Sequence, residues 1–163
     1  MESRYQVAGY VKLAKLWERS RKEAEQYHNQ YYADKFGETE NMHLVDVYID
    51  ITGQKKICKR PQMLRLIRDC QQQKINCIAA QTKAYLAANS QEFCYLLHYL
   101  FSFPQHIEIV TEDDSYNIDT IANAENQRGA LQKMAADYVA LDTRTYEAWI
   151  QSIVKGINLL EQE

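Results

Sequence analysis

HLVDVYIDITGQKKICKRPQMLRLIRDCQQQKINCIAA, residues 43–80, is the stretch from which the rest of the chain can be read. Residues 43–51 alternate apolar and polar side chains and are rich in β-branched residues, the pattern of a strand. ITGQKKICKR then reads as a loop. Pro61 stands where it opens a helix at its first turn, and Met63, Leu64, Ile67 and Cys70 follow at helical spacing. Lys74–Ala80 (KINCIAA) is apolar almost throughout, as expected of a strand central in a sheet. Strand, helix and strand in this order make a parallel crossover unit.

The flanking segments extend the alternation. Tyr5–Leu13 (YQVAGYVKL) reads as a strand, and Leu16–Phe36 as a polar helix that Gly37 ends with a left-handed cap. Asn89 or Ser90 caps a helix with Phe93, Leu96, Leu97 and Leu100 on one face, stopped before Pro104. His106–Val110 is a fourth strand, followed by a polar loop, TEDDSYNIDT (111–120). The expected fold is α/β: three layers, with a mostly parallel central sheet of four or more strands and helices on both faces.

From about Ile121 to the end the pattern is a single long helix. Leu131, Met134, Tyr138, Leu141, Tyr146, Trp149, Ile153, Ile157 and Leu160 are mostly three or four apart, and Gly129 and Gly156 weaken it by roughly 1 kcal/mol each. About forty residues at 1.5 Å each would run about 60 Å, longer than a small domain is wide. Part of that helix is expected to project, and a second copy of it is the simplest cover for its apolar stripe. The organisation is therefore an α/β domain over residues 1–120 with a C-terminal oligomerisation helix over 121–163. Leu131, Met134, Tyr138, Tyr146, Trp149, Ile153 and Ile157 are the expected dimer residues.

The composition is that of one ordinary globular domain: 163 residues, 46% hydrophobic and 25% charged. A net charge of −3, from 22 acidic and 19 basic residues, argues against coating DNA by bulk charge. No apolar run is long enough to span a membrane, and the start lacks a signal peptide, so a cytoplasmic location is expected. None of the four cysteines forms a C-x-x-C pair, and Cys77 and Cys94 fall in apolar patterns that mark core residues. The four histidines are scattered singletons. Phosphate-loop, G-x-S-x-G and H-E-x-x-H motifs are absent, so neither a metal nor a cofactor is expected.

Two features hold chemical interest. Asp46 and Asp50 lie at i and i+4 in one strand, where paired carboxylates can hold a metal or exchange protons. The structural alternative, which is favoured, has Asp46 facing solvent and Asp50 capping the following loop. Lys55, Lys56, Lys59, Arg60, Arg65 and Arg68 fall within fourteen residues that contain no acid. Such a cluster can bind phosphates, with Arg60 at a helix N-terminus; a solvated loop that binds nothing specific is an equal alternative. Of the twelve tyrosines, Tyr27, Tyr31 and Tyr32 share a helix, and packing is favoured for them over base stacking.

VAGYVKLA (7–14), VYIDITGQKKICKRPQMLRLIRDCQQQKINCIAA (47–80) and IDT…RGALQKMAADYVALDTR (118–144) together resemble the N-terminal catalytic domain of the serine recombinases, the resolvase/invertase family. The resemblance covers nearly the whole chain. It rests on joint spacing, above all the ten-residue step from Asp50 to Arg60-Pro61. It implies a resolvase-like sheet and a dimer helix that leads into a separate DNA-binding domain. It also implies an active site in which a Y-x-R-x-S serine attacks a DNA phosphate to form a phosphoserine link, while arginines neutralise the phosphoryl oxygens.

Here Tyr10 takes the motif's tyrosine position, Lys12 its arginine and Ala14 its serine. The family's L-D-R-L-S-R run corresponds to KAYLAAN, with Ala84, Tyr85 and Ala88 in place of the aspartate and two arginines. Arg60 is retained, and Arg144 is a second match. An alanine methyl cannot attack phosphorus, and each lost charge-stabilising donor costs about 10²–10³ in rate. The resemblance thus implies a pseudoenzyme of the kind carried by mobile genetic elements, without DNA cleavage or strand exchange. It would act as a homodimer or as the partner of an active serine recombinase, touching DNA weakly or through that partner. No helix-turn-helix follows the long helix. Two other readings remain open: a catalytic fragment of an active recombinase with displaced chemistry, or a small-ligand module using the crevice where Lys12, Asp50, Arg60 and Tyr85 should meet.

Overall fold

The computed structural model describes residues 5–37, 41–113, 117–122 and 127–162. β1 (Tyr5–Leu13) pairs in parallel with β2 (Met42–Ile51) on one side and β3 (Cys77–Ala80) on the other; β3 pairs in parallel with β4 (Glu108–Thr111). The order β2-β1-β3-β4 places the reversal of strand order between β1 and β3, where the carboxyl ends of open α/β sheets leave a crevice. The expected α/β fold class is therefore the observed one, with β3 interior as expected and β1 beside it. Residues 117–120 return antiparallel to β4, with Thr111 N–H donating to Ile118 O (2.7 Å) and Thr120 N–H to Ile109 O (3.1 Å). This part of the expected polar loop covers a sheet edge that would otherwise expose unpaired backbone groups.

Two-residue alternation divides the core. Val7 and Val11 pack with Val47, Ile49 and Ile51 against α1 (Arg21–Phe36), while Ala8 and Tyr10 face the opposite layer. That layer contains α2 (Pro61–Gln71), a short α3 (Lys83–Leu86) and α4 (Ser90–Phe101). Asn89 caps α4 by accepting the Glu92 N–H at 2.9 Å. Cys70, Cys77 and Cys94 are buried free thiols, and burial pushes Cys77 up to about 12, which makes it inert.

On the α1 face, Gly9 lies under the Tyr32 ring, and a Cβ there would sit 2.8 Å from Tyr32 Cγ. Gly9→Ala is expected to destabilise the domain by about 1–3 kcal/mol through overpacking. A second change, Tyr32→Leu, should recover part of that loss; urea denaturation of the single and double variants measures both.

Three helix expectations are corrected. The segment expected as one helix over 16–36 begins with a 3-10 turn, Lys15–Ser20, before α1 proper. Gly37 does not adopt a left-handed cap: its φ is −54°, and its N–H closes the last turn onto Ala33 O at 2.9 Å. The single forty-residue helix is divided at Asp142 into α5 (Gly129–Leu141) and α6 (Thr143–Glu161). Asp142 has φ −157° and ψ 87°, and its carboxylate accepts the Thr145 N–H (3.1 Å) and hydroxyl (2.6 Å). It is the N-cap of a new helix.

The long C-terminal helix is thus α6, whose 19 residues span about 28 Å, so it lies along the domain instead of projecting from it. Leu131, Ile153 and Ile157 enter the same core cluster as α2 and α4. Tyr146 packs edge-on against Tyr95 with ring centroids 5.3 Å apart. The Trp149 indole donates to Glu92 Oε2 at 2.7 Å. Gly156 sits where α6 approaches α2, with space for a Cβ only 2.8 Å from Leu64 Cδ1. Most of the stripe expected to face a second copy is therefore covered by the chain's own α2 and α4. Met134, Leu141, Val154 and Leu159 are the large apolar residues left exposed on α5 and α6.

Candidate active site at the carboxyl ends of the strands

Three of the residues singled out in the sequence meet beyond the carboxyl end of β1. β1 and β2 in register put Lys12 beside Asp50, and two residues earlier on the same face stands Tyr10. The Tyr10 hydroxyl donates to Asp50 Oδ2 at 2.8 Å. Asp50 also accepts the N–H groups of Gln62 (Oδ1, 3.0 Å) and Met63 (Oδ2, 2.9 Å). Pro61 directly precedes these donors, so Asp50 caps the N-terminus of α2 and not the loop after β2. Asp46 does not simply face solvent: it pairs with Arg65 at 3.1 Å. The two aspartates serve separate structural contacts, and among the described residues no cluster of His, Cys, Asp and Glu suited to a metal is present.

Arg60 completes the network in an unexpected way. Its Nη1 donates to the Tyr10 hydroxyl (3.2 Å) and to Tyr85 O (2.7 Å), and its Nη2 to Leu86 O (2.9 Å). The residue is 0% exposed. Its guanidinium thus bridges β1, α2 and α3, and is unavailable to an external phosphate. Tyr10, pushed far above the usual phenol range by burial and by Asp50, is a proton donor within this network and not a base.

The exposed positions around this network lack reactive groups. Ala14, Ala84 and Ala88 all face solvent, while Tyr85 is half-buried. The expected crevice set of Lys12, Asp50, Arg60 and Tyr85 does converge, but only Lys12 and Tyr85 are even partly accessible. Lys12 is held below its ordinary value by burial and by the positive charges of Arg60 and Lys55.

The basic cluster divides by residue type. Lys55, Lys56 and Lys59 are exposed. Arg60 is buried, Arg65 lies over the Tyr48 ring at 4.2 Å while paired with Asp46, and Arg68 pairs with Asp69 at 3.4 Å. Arg60 is therefore an internal strut, a correction to its reading as an anion ligand, while Arg65 and Arg68 are partly exposed and held by neighbouring aspartates. Arg144 is exposed on the first turn of α6, with no contact to the Arg60 network.

Comparison with solved structures relates this arrangement to a known class. The N-terminal catalytic domain of TP901-1 integrase superposes with a TM-score of 0.58 at 16% identity, over 86% of this chain and 98% of that domain. The fold is similar to that of the integrase's catalytic domain. The C-terminal catalytic domain of ISC1926 TnpA, an IS607-like serine recombinase, is similar at a TM-score of 0.49 and 16% identity, over 94% of this chain and 99% of that one. No protein-family model matches the chain, and no curated protein does.

Some site residues had no strong sequence signal. Glu92, 9% exposed, accepts the Ile57 N–H at 3.2 Å and the Trp149 indole, joining the loop after β2 to α4 and α6. Its spacing from Asn89 is that of a capping box, the one pattern that could have drawn attention to it. The Tyr48 hydroxyl donates to the buried Asp69 at 2.6 Å, a pairing across β2 and α2 that no local spacing reports.

Proposed function

We propose that this is a serine-recombinase-like domain that has lost DNA cleavage and strand exchange and acts through dimerisation, as a regulatory partner in DNA recombination. The observation that carries the reading is the state of the carboxyl-end crevice. The position equivalent to the nucleophile is Ala14, and the retained Arg60 is wholly buried, with its Nη atoms donating to the Tyr10 hydroxyl and the carbonyls of Tyr85 and Leu86. A phosphoryl group placed there would meet neither a nucleophile nor a fork of free donors. When the domain pairs with an active subunit, the exposed Lys55, Lys56 and Lys59 supply salt-dependent contacts to the DNA backbone. Met134, Leu141, Val154 and Leu159 supply apolar surface for dimerisation.

A covalent-adduct assay on nicked DNA, resolved on a denaturing gel, tests the loss of chemistry. The native chain is expected to give no adduct. Ala14→Ser is also expected to give none, because a restored hydroxyl still lacks the groups replaced by Ala84, Tyr85 and Ala88. An adduct with Ala14→Ser would overturn the reading. An adduct with the native chain would establish the alternative of an active recombinase with displaced chemistry.

A further inference from the structure

A cleft of about 550 Å³ opens on the α1 side of β1, bordered by the 3-10 turn, the start of α1 and α3. It lies across the end of β1 from the Tyr10–Asp50–Arg60 network and shares none of that network's hydrogen-bonding side chains. Leu13, Trp17, Glu23, Tyr27, His28 and Tyr85 line it, a volume and an aromatic character suited to one planar ligand.

Three features set it apart from ordinary surface. Trp17 is 46% exposed and Tyr27 61% exposed, so two large rings stay in solvent beside an open cleft. Tyr27 was expected to pack; its ring meets those of His28 (centroids 5.0 Å apart) and Tyr31 (6.5 Å) on α1 but stays largely in solvent, whereas Tyr31 donates to Glu112 and Tyr32 is buried under the sheet. His28 is 8% exposed, yet its Nδ1 has no hydrogen-bond partner among the described residues. Burial keeps this imidazole below its ordinary pKa and therefore neutral, with one nitrogen donating and the other accepting. A buried polar atom left unpaired calls for a partner. The third feature is the rim: Glu23 offers an exposed carboxylate acceptor, and the exposed Lys15 follows Ala14 just beyond the end of β1.

We infer that this cleft binds a single nucleobase bearing an exocyclic amine, stacked on Trp17 and Tyr27, with Glu23 accepting from the amine, His28 bonding the ring edge, and the attached phosphate held at Lys15. Aromatic faces suit any base, whereas a carboxylate acceptor selects a base that donates. The same chemistry is presented by a free nucleotide and by an unpaired base in a single strand. The inference therefore stands apart from the recombination reading.

Fluorescence of the full chain tests it, because Trp17 lies in the cleft while Trp149 is anchored to Glu92. Adenosine monophosphate, oligo-dA and oligo-dT are titrated separately. Saturable quenching by the adenine ligands is expected, at least tenfold tighter for oligo-dA than for oligo-dT. Tyr27→Ala and Glu23→Ala, both at exposed positions, are expected to weaken it about tenfold, the loss of one stacked or bonded base contact. Quenching by the mononucleotide identifies a free-nucleotide site, and quenching by oligo-dA alone identifies a strand-borne base; either supports the inference. Equal affinity for oligo-dT overturns it, as does absence of quenching by all three. Binding abolished by replacing Lys55, Lys56 and Lys59 with Ala but unaffected by Tyr27→Ala also overturns it, while leaving the backbone contacts of the recombination reading intact.

Discussion

Arg60→Ala is expected to destabilise the domain by about 3–5 kcal/mol, lowering the melting temperature by about 6–20 °C for a chain of this size. The side chain is wholly buried, so its removal opens a cavity that α2 and α3 can close only by shifting toward each other. It also strips the partner from Tyr85 O and Leu86 O and one partner from the Tyr10 hydroxyl. Each unsatisfied buried acceptor costs about 1–3 kcal/mol, offset in part because a guanidinium no longer has to be desolvated. Arg60→Lys keeps the charge but cannot reach two carbonyls and a hydroxyl with a planar fork, and should recover little. Arg60→Met refills the volume alone and should fall between the two. Urea denaturation of the three variants measures the order. If Arg60 served only to bind phosphate, all three would unfold with the native midpoint.

The second large effect concerns α6. Ile153→Ala is expected to cost roughly 2–5 kcal/mol, since Ile153 is 0% exposed in the cluster formed with α2 and α4. The shift in unfolding midpoint should not depend on protein concentration, because the lost contacts are within one chain. An Ile153 whose contacts were made only across a dimer would give a loss that varies with concentration. Leu159→Asp provides the contrast: at 55% exposure it should change monomer stability by no more than about 0.5 kcal/mol. It should nevertheless weaken self-association in sedimentation equilibrium if the exposed row on α5 and α6 is the dimer surface.

Together these variants distinguish two meanings of one sequence pattern. An apolar stripe at helical spacing reports that a face is buried, but not what buries it. For Leu131, Tyr146, Ile153 and Ile157 the cover is internal. The reading as a single helix failed at one residue, Asp142. Its cap pattern with Thr145 was present in the sequence, but the apolar spacing runs through it without interruption. A break that preserves the period is invisible to periodicity. Gly156 shows the same limit: a weak point in an isolated helix is, in the folded domain, the place that admits Leu64.

The candidate site was legible in position more than in state. The resemblance and its register put Lys12, Asp50, Arg60 and Tyr85 at one end of the sheet, because parallel strands bring successive carboxyl ends together. Whether an arginine there faces solvent or the interior depends on the path of the segment that follows β3. That path is set by α3, whose carbonyls receive Arg60. His28 and Trp17 showed no chemical pattern at all; their interest arises from a cleft shared with Tyr85, more than fifty residues away in the chain.

What the sequence by itself determined is the alternation of strands and helices, the central place of β3, the opening of α2 at Pro61 and the absence of a hydroxyl at position 14. These are local properties, carried by period, by φ-restricted residues and by side-chain chemistry. What only the tertiary structure decided is which charges are consumed internally, which apolar face is left uncovered, and where an aromatic cleft remains open. Those depend on contacts between residues far apart in the chain, where burial sets whether a cation is a ligand or a strut.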